Sequence, residues 1–120
     1  MKLIYSSEKL QKQCTSVKDA GKLFGGNKAL VINLHARIHA LEMAECLKDI
    51  IVQPQFGFHK LLGEREGEYA VNVKTHRDAW RIILIPLDEN EQPYEKGESI
   101  DKICTAVKIV WIEEVSKHYE

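Results

Sequence analysis

The sequence contains few cysteines, few prolines and no long apolar run. Its three cysteines, Cys14, Cys46 and Cys104, form no paired spacing and leave one unpaired, which argues against a disulfide framework and a CxxC-type zinc site. No apolar stretch approaches the roughly 20 residues of a bilayer-spanning helix. The N-terminal ten residues turn polar after Tyr5, unlike a secretory signal. These absences predict reduced thiols in a cytoplasmic protein with no membrane partner.

The chain also lacks a strong net charge. Its 17 lysines and arginines against 18 acidic residues give a net charge of -1, whereas nucleic-acid-binding domains are usually basic. The charge is unevenly distributed, because residues 88–101 contain six acidic residues and a single lysine, Lys96. The remainder is mildly basic, and the local field rather than the total charge attracts a phosphate ligand. We expect one domain over residues 1–120, with an acidic loop insertion at about 88–102.

The N-terminal half predicts one strand and two helices. Lys2–Tyr5 is a short strand candidate. Ser6 or Ser7 can cap a helix that Gly25-Gly26 ends, with a possible division into two pieces at Thr15-Ser16. Asn27 can cap a second helix to about Ala44 or Cys46. Its apolar positions would lie on a sheet: Val31, Leu34, Ile38 and Leu41. His35 and His39 are one turn apart, but no third ligand follows in an HExxH arrangement, so we interpret them as surface residues and expect no metal.

The C-terminal half predicts a strand meander. From Phe58 to Arg81 the pattern reads strand, turn, strand, turn, strand, with Tyr69, Val71 and Val73 alternating as in a half-buried strand. Residues 80–86 continue as a strand in which Arg81 is out of phase with the apolar positions. Residues 105–115 predict a last strand with Val107, Ile109 and Trp111 in phase. The order β-α-α-β-β-β-β predicts an α+β fold, with two helices on one face of a twisted, mainly antiparallel sheet of about five strands.

The polar side and edge of this meander collect cations and imidazoles. They are His59, Lys60, Arg65, Lys74, His76, Arg77 and Arg81. Such a set suits the handling of phosphate. A solvated sheet face carries charged residues by default, however, so the pattern leaves a purely structural interpretation open.

Four short motifs resemble those of the RelE/ParE superfamily of bacterial toxins, and within it the HigB-like plasmid maintenance killer proteins. The motifs are His59-Lys60-Leu61-Leu62-Gly63-Glu64-Arg65-Glu66-Gly67, Tyr69-Ala70-Val71, Trp80-Arg81-Ile82 and Val115-Ser116-Lys117-His118. The resemblance implies an mRNA endonuclease that acts on the translating ribosome. It also implies a partner antitoxin with a helix-turn-helix domain, HigA-like, which neutralises the toxin.

The resemblance further implies which residues act. RNA can be cleaved without a metal or cofactor when its 2′-hydroxyl attacks the adjacent phosphate, which requires a base, an acid and a group that neutralises phosphoryl charge. Arg81 would stabilise the phosphate with help from Arg65, and His59 and His118 would be the acid and base. The remaining substrate-binding candidates are Lys60, Lys74, His76, Arg77, Lys117 and Tyr119.

Some positions depart from the family pattern. A lysine expected before the turn acid falls on Leu62, and the terminal acid and tyrosine fall on Ser116 and Lys117, for which Glu114 or Tyr119 could substitute. Two other hypotheses therefore stay open. One is a non-catalytic module of the same fold that inhibits a protein such as DNA gyrase or pairs with a transcriptional regulator. The other is a metal-dependent nuclease, against which the lack of acids clustered with the histidines argues.

Overall fold

The computed structural model describes residues 1–118, which form five strands and five helices. The strands are β1 (Lys2–Tyr5), β2 (His59–Lys60), β3 (Tyr69–Asn72), β4 (Trp80–Leu87) and β5 (Ile109–Lys117). The helices are α1 (Glu8–Thr15), α2 (Val17–Leu23), α3 (Lys28–Met43), α4 (Lys48–Ile51) and α5 (Ile100–Ile103). Short 3-10 turns occupy Pro54–Phe56 and Gly63–Arg65. Among these helices, none has the length and apolar character needed to cross a bilayer.

The predicted α+β fold is confirmed. The five strands form one sheet in the order β1-β5-β4-β3-β2. β1 runs parallel to β5, and the other neighbours are antiparallel. The parallel pairing arises because the chain crosses from β1 through all the helices and the meander before it returns as β5.

Capping side chains define the helical half. Ser7 accepts a hydrogen bond from the Leu10 N–H (3.1 Å) and begins α1. Ser16 ends α1 and accepts from the Asp19 N–H (3.3 Å) to begin α2, so the predicted break at Thr15-Ser16 is confirmed. Asn27 caps α3 as predicted, accepting from Leu30 (3.1 Å). These caps satisfy helix-terminal N–H groups that have no partner within the helix.

Two short helices were not predicted. α3 ends at Met43, and α4 follows as a separate turn, with its N-cap Leu47 and its own Ile50 both buried. The end of the predicted acidic loop is also helical, since α5 begins at Ile100. Four-residue helices carry too few periodic positions to be recognised in the sequence, and burial against the core stabilises them.

The main core lies between α1–α3 and one face of the sheet. The predicted inward positions of α3 are all buried: Val31, Leu34, Ile38 and Leu41. The sheet side of the same core includes Val71, Ile82, Leu84, Val110 and Ile112. We call the opposite side of the sheet the second face.

The predicted phase of the last strand is wrong. Ile109 and Trp111 are half-buried, whereas Val110 and Ile112 are fully buried in the main core. The strand also begins later than predicted, at Ile109, so Val107 precedes it. Because all four residues from 109 to 112 are apolar, alternation in the sequence cannot distinguish the two faces.

A register shift in β5 turns Glu114 towards the second face. Ile83 pairs with Glu114 but the next residue, Leu84, pairs with Ile112, so Glu113 is an extra residue in β5. This bulge lets Ile112 and Val115 both face the main core although three positions separate them. Without it, Glu114 would continue the inward phase of Val110 and Ile112.

The second face is less polar than predicted. All four residues of β3 are buried, so the expected alternation of buried and solvated positions is absent there. Ala70 packs with Leu61 and Ile83 in a small second cluster. The prediction of a single apolar face is therefore wrong, and polar groups occupy only part of the second face.

Candidate functional site

Strand register brings several predicted residues into adjacent rows of the second face. One row runs His59, Ala70, Ile83, Glu114 across four strands. The next row runs Asn72, Arg81, Ser116. Residues opposite one another in paired strands point to the same face. His118 follows Ser116 by two positions, and its N–H donates to the carbonyl of Ala79 (2.7 Å).

Glu114 is bonded to two side chains of this region. It accepts hydrogen bonds from Arg65 and from the Ser116 hydroxyl (2.6 Å). Burial favours a higher pKa for Glu114, but the bonds from Ser116 and Arg65 and the nearby charges of Arg65 and His118 outweigh it, and its pKa is lowered. The carboxylate is therefore ionised at neutral pH and lies within electrostatic reach of His118.

Arg65 lies on the second face but is paired within the protein. Its Nη2 donates to Glu68 (2.8 Å) as well as to Glu114. Hydrogen bonds to these two carboxylates raise the pKa of Arg65 above its already high ordinary value. The side chain remains 35% exposed, so solvent or a ligand can still reach this guanidinium.

Arg81 is buried, contrary to the prediction of a solvated position. The residue is 4% exposed. Its Nη1 donates to the carbonyls of Asp78 (2.7 Å), Trp80 (2.8 Å) and Thr75 (3.3 Å), and its Nη2 donates to the carbonyl of His76 (3.3 Å). A guanidinium offers five N–H donors in a fixed plane, and here it holds the turn between β3 and β4. The sequence pattern showed the phase of Arg81 correctly but not that a turn would fold over it.

That turn displays three of the predicted substrate-binding residues. Lys74, His76 and Arg77 are all exposed, and we call residues 74–77 the basic turn. The carboxylate of Asp78 accepts from the Thr75 and Trp80 N–H groups (both 3.0 Å). Arg37 donates to the carbonyl of Lys74 (3.1 Å) from the helical side. The basic turn is thus held from both sides by arginines while its own cations stay in solvent.

Three other candidates are placed differently. His59 is half-buried, and its Nδ1 lies 2.8 Å from the carbonyl of Gly57. Lys60 pairs with Tyr69, a main-core residue, so its position in β2 belongs to the opposite side from His59. Lys117 pairs with Trp80, and its Nζ lies 5.8 Å from the centroid of that ring. Tyr119 lies outside the described residues.

The second face thus collects four of the candidates, His59, Arg65, Arg81 and His118, but not Lys60 or Lys117. Sequence reasoning left Glu114 as a substitute, and the bulge at Glu113 places it there. It missed Asn72, which is buried beside Arg81, and Arg37. Nothing in the sequence shows that Arg37 reaches the turn between β3 and β4. Among residues 1–118, no group of three or more His, Cys, Asp and Glu side chains could hold a metal ion.

The acidic segment borders a different part of the molecule. A groove of about 740 Å³ separates residues 93–103 from residues 60–69. Carboxylates line both of its sides, including Glu64 and Glu68 on one and Glu95 and Glu98 on the other. The acidic residues of this segment therefore face a groove that does not include the basic turn.

Comparisons with known proteins add little to this geometry. No protein-family model matches the chain, and no curated protein matches it. Six chains of known structure match. One is a YoeB/ParE toxin from Agrobacterium tumefaciens, with 13% sequence identity, coverage of 99% of this chain and 100% of that chain, and a TM-score of 0.46. A similarity at this level carries no inference about function.

Proposed function

We propose that the chain is the toxin of a type II toxin–antitoxin module and that it cleaves mRNA on the ribosome by metal-independent attack of the 2′-hydroxyl. The observation that carries this proposal is the strand register, which puts His59 in one row with Glu114 and Arg81 in the next with Ser116. The motifs that resemble HigB-like toxins contribute residues to both rows.

The acid and base roles belong to the imidazoles. His59 lies in the edge strand β2, and His118 follows the end of the inner strand β5. Imidazole titrates near neutral pH and can accept a proton from the 2′-hydroxyl or donate one to the leaving 5′-oxygen. His118 lies within electrostatic reach of the ionised Glu114, and we assign His118 as the acid and His59 as the base.

Arg65 is better placed than Arg81 to meet the phosphate. Its side chain is partly exposed and borders Glu114, whereas the Arg81 guanidinium is bonded to four carbonyls. A phosphate can replace one carboxylate partner of Arg65, because both offer paired oxygens to the same planar donor fork. We therefore assign Arg65 the phosphate-stabilising role and regard Arg81 as a positioning residue that presents the basic turn.

The partners follow from the same proposal. The exposed cations of the basic turn would contact the phosphates of ribosome-bound mRNA in the cytoplasm. A HigA-like antitoxin with a helix-turn-helix domain would neutralise the toxin.

The test is induced expression of the chain, with bacterial growth and transcript 5′ ends recorded. We expect growth arrest with new 5′ ends. Arg65→Ala and His118→Ala should each reduce cleavage by about 10²-fold or more, while the control Lys9→Ala, which changes an exposed cation of α1, should keep it. Circular dichroism would verify that each variant folds.

A second candidate function has one observation in its favour. Both arginines of the site, Arg65 and Arg81, are engaged in intramolecular hydrogen bonds, as expected for a scaffold without chemistry. A non-catalytic module that inhibits a protein such as DNA gyrase, or that pairs with a regulator, would arrest growth without new transcript ends. That outcome would reject the nuclease and retain the binding module.

A further inference from the structure

The outward face of α3 carries an exposed stripe that is apolar apart from one histidine. Its members are Ala29, Ile32, Ala36, His39 and Met43. Ile32 is 68% and Met43 is 70% exposed. The opposite face of the same helix is buried in the main core. A helix that is apolar on both sides is expected to be covered on both, yet the described part of the chain covers only one.

The spacing of the stripe is that of a coiled-coil seam. Successive members are separated by three, four, three and four residues, which places them at alternating a and d positions of a heptad. Such a seam fits another helix with the same spacing. A second copy of α3 provides one.

We propose that this stripe is a homodimer interface in which α3 packs antiparallel to α3 of a second copy, about a two-fold axis between Ile32 and Ala36. Under this symmetry Ile32 meets Ala36 of the second copy, and Ala29 meets His39 of the second copy. The large Ile32 side chain then faces a small alanine, which allows close packing. A two-fold interface uses the same surface on both copies, as a self-complementary stripe permits.

Charge complementarity selects the antiparallel orientation. Lys28 and Glu42 are exposed and precede the first and last members of the stripe by one residue, so both lie at g positions on one edge of the seam. An antiparallel pair brings Lys28 beside Glu42 of the second copy, and symmetry repeats this ion pair. In a parallel pair, g positions face e positions, and Lys28 would meet the uncharged Asn33.

The expected dimer is reversible. α3 has 16 residues, or about 24 Å of helix, and a single helix pair of this length buries less surface than a permanent interface does. Association should therefore depend on protein concentration. The proposal does not depend on RNA cleavage, because it concerns a helix on the other side of the sheet from the candidate site.

Sedimentation velocity of the full-length protein over a concentration series tests the proposal. We expect a monomer–dimer equilibrium that Ile32→Glu abolishes. The control Leu62→Glu changes an equally exposed apolar residue, 75% exposed, away from α3, and should dimerise like wild type. A monomer at every concentration, or equal loss in both variants, would overturn the proposal. Circular dichroism would confirm that each variant keeps its helices.

Charge exchange tests the orientation. Lys28→Glu should weaken the dimer by about 3- to 10-fold, and the double variant Lys28→Glu with Glu42→Lys should recover wild-type association. A variant that carries both Ile32→Cys and Ala36→Cys should form an intermolecular disulfide under mild oxidation that wild type does not form. If the charge-exchanged double variant stays as weak as Lys28→Glu and the cysteine variant does not cross-link, the antiparallel arrangement is wrong.

Discussion

Arg65 and Glu114 are joined by a direct ion pair although 49 residues separate them in the chain. Arg65 lies in the 3-10 turn after β2, and Glu114 lies beside the bulge of β5, so the pair connects a loop at one side of the sheet to a strand near the other. The same guanidinium also bonds Glu68. The region proposed for phosphate binding is therefore preorganised by carboxylates that hold its arginine in place.

The lowered pKa of Glu114 predicts an acid-sensitive contribution to stability. In the unfolded chain the carboxyl has its ordinary value of 4.5. Because the pKa of Glu114 is lower in the folded state, ionisation of this carboxyl stabilises the fold above about pH 4.5. This stabilisation is lost as the pH falls through the folded-state pKa. Glu114→Gln should therefore be less stable than wild type at pH 7, and the difference should shrink by pH 3.

Urea unfolding at pH 7, 5 and 3 measures this difference. Glu64→Gln, at an exposed position, serves as the control. It should change the free energy of unfolding only slightly, and by the same amount at each pH. A stability gap for Glu114→Gln that is the same at all three pH values would show that the carboxylate is not the stabilising form.

Replacement of Arg81 should affect folding more than replacement of Arg65. Arg81→Ala removes a buried guanidinium that bonds four carbonyls between Thr75 and Trp80, and it should lower the free energy of unfolding by about 3 kcal/mol. Arg81→Lys should restore part of the loss, because an ammonium cannot reach all four carbonyls. Arg65→Ala removes a partly exposed ion pair and should lower the free energy of unfolding by about 1 kcal/mol or less. It should nevertheless reduce RNA cleavage more than Arg81→Ala does. Thermal denaturation and cleavage assays on the same variants separate the two roles, and an Arg65→Ala variant as unstable as Arg81→Ala would contradict them.

The cations of the basic turn should contribute to RNA affinity through phosphates. If Arg77 contacts one phosphate, Arg77→Ala should weaken binding to any single-stranded RNA and reduce the slope of log affinity against log salt by about 0.7. Lys96→Ala, which changes a lysine of the acidic segment, should leave the slope unchanged. Fluorescence anisotropy at several salt concentrations provides the measurement. Equal slopes for wild type and Arg77→Ala would place the RNA elsewhere.

Gly57 should be the least replaceable of the glycines near the site. Its φ is 56°, and a Cβ built there would lie 2.5 Å from Nδ2 of the buried Asn72. Gly57→Ala should therefore lower the free energy of unfolding by about 2 kcal/mol or more, because it adds both backbone strain and the clash with Asn72. Gly67 also has a positive φ, 95°, but nothing lies within 4 Å of its Cβ position, so Gly67→Ala should cost only about 1 kcal/mol. Equal losses in chemical denaturation would mean that Asn72 moves aside easily.

The helical half of the fold was predictable because its signals are local. Ser16 and Asn27 act within three residues of their own positions, as caps do. The phase of the last strand was not predictable, since Val110 and Trp111 are both apolar and only pairing with β4 decides which faces the helices. The burial of Arg81 was equally hidden, because carbonyls of the turn, none of which has a signature in the sequence, surround its guanidinium.

The sequence by itself determined the α+β class, the helix caps and the collection of cations around the meander, since periodicity and capping depend on neighbours along the chain. Only the tertiary structure decided which of those cations share a face. A single extra residue at Glu113 reverses the direction of Glu114, and a turn folded over Arg81 converts a surface charge into a buried one. Both effects come from contacts between distant segments, which no local pattern contains.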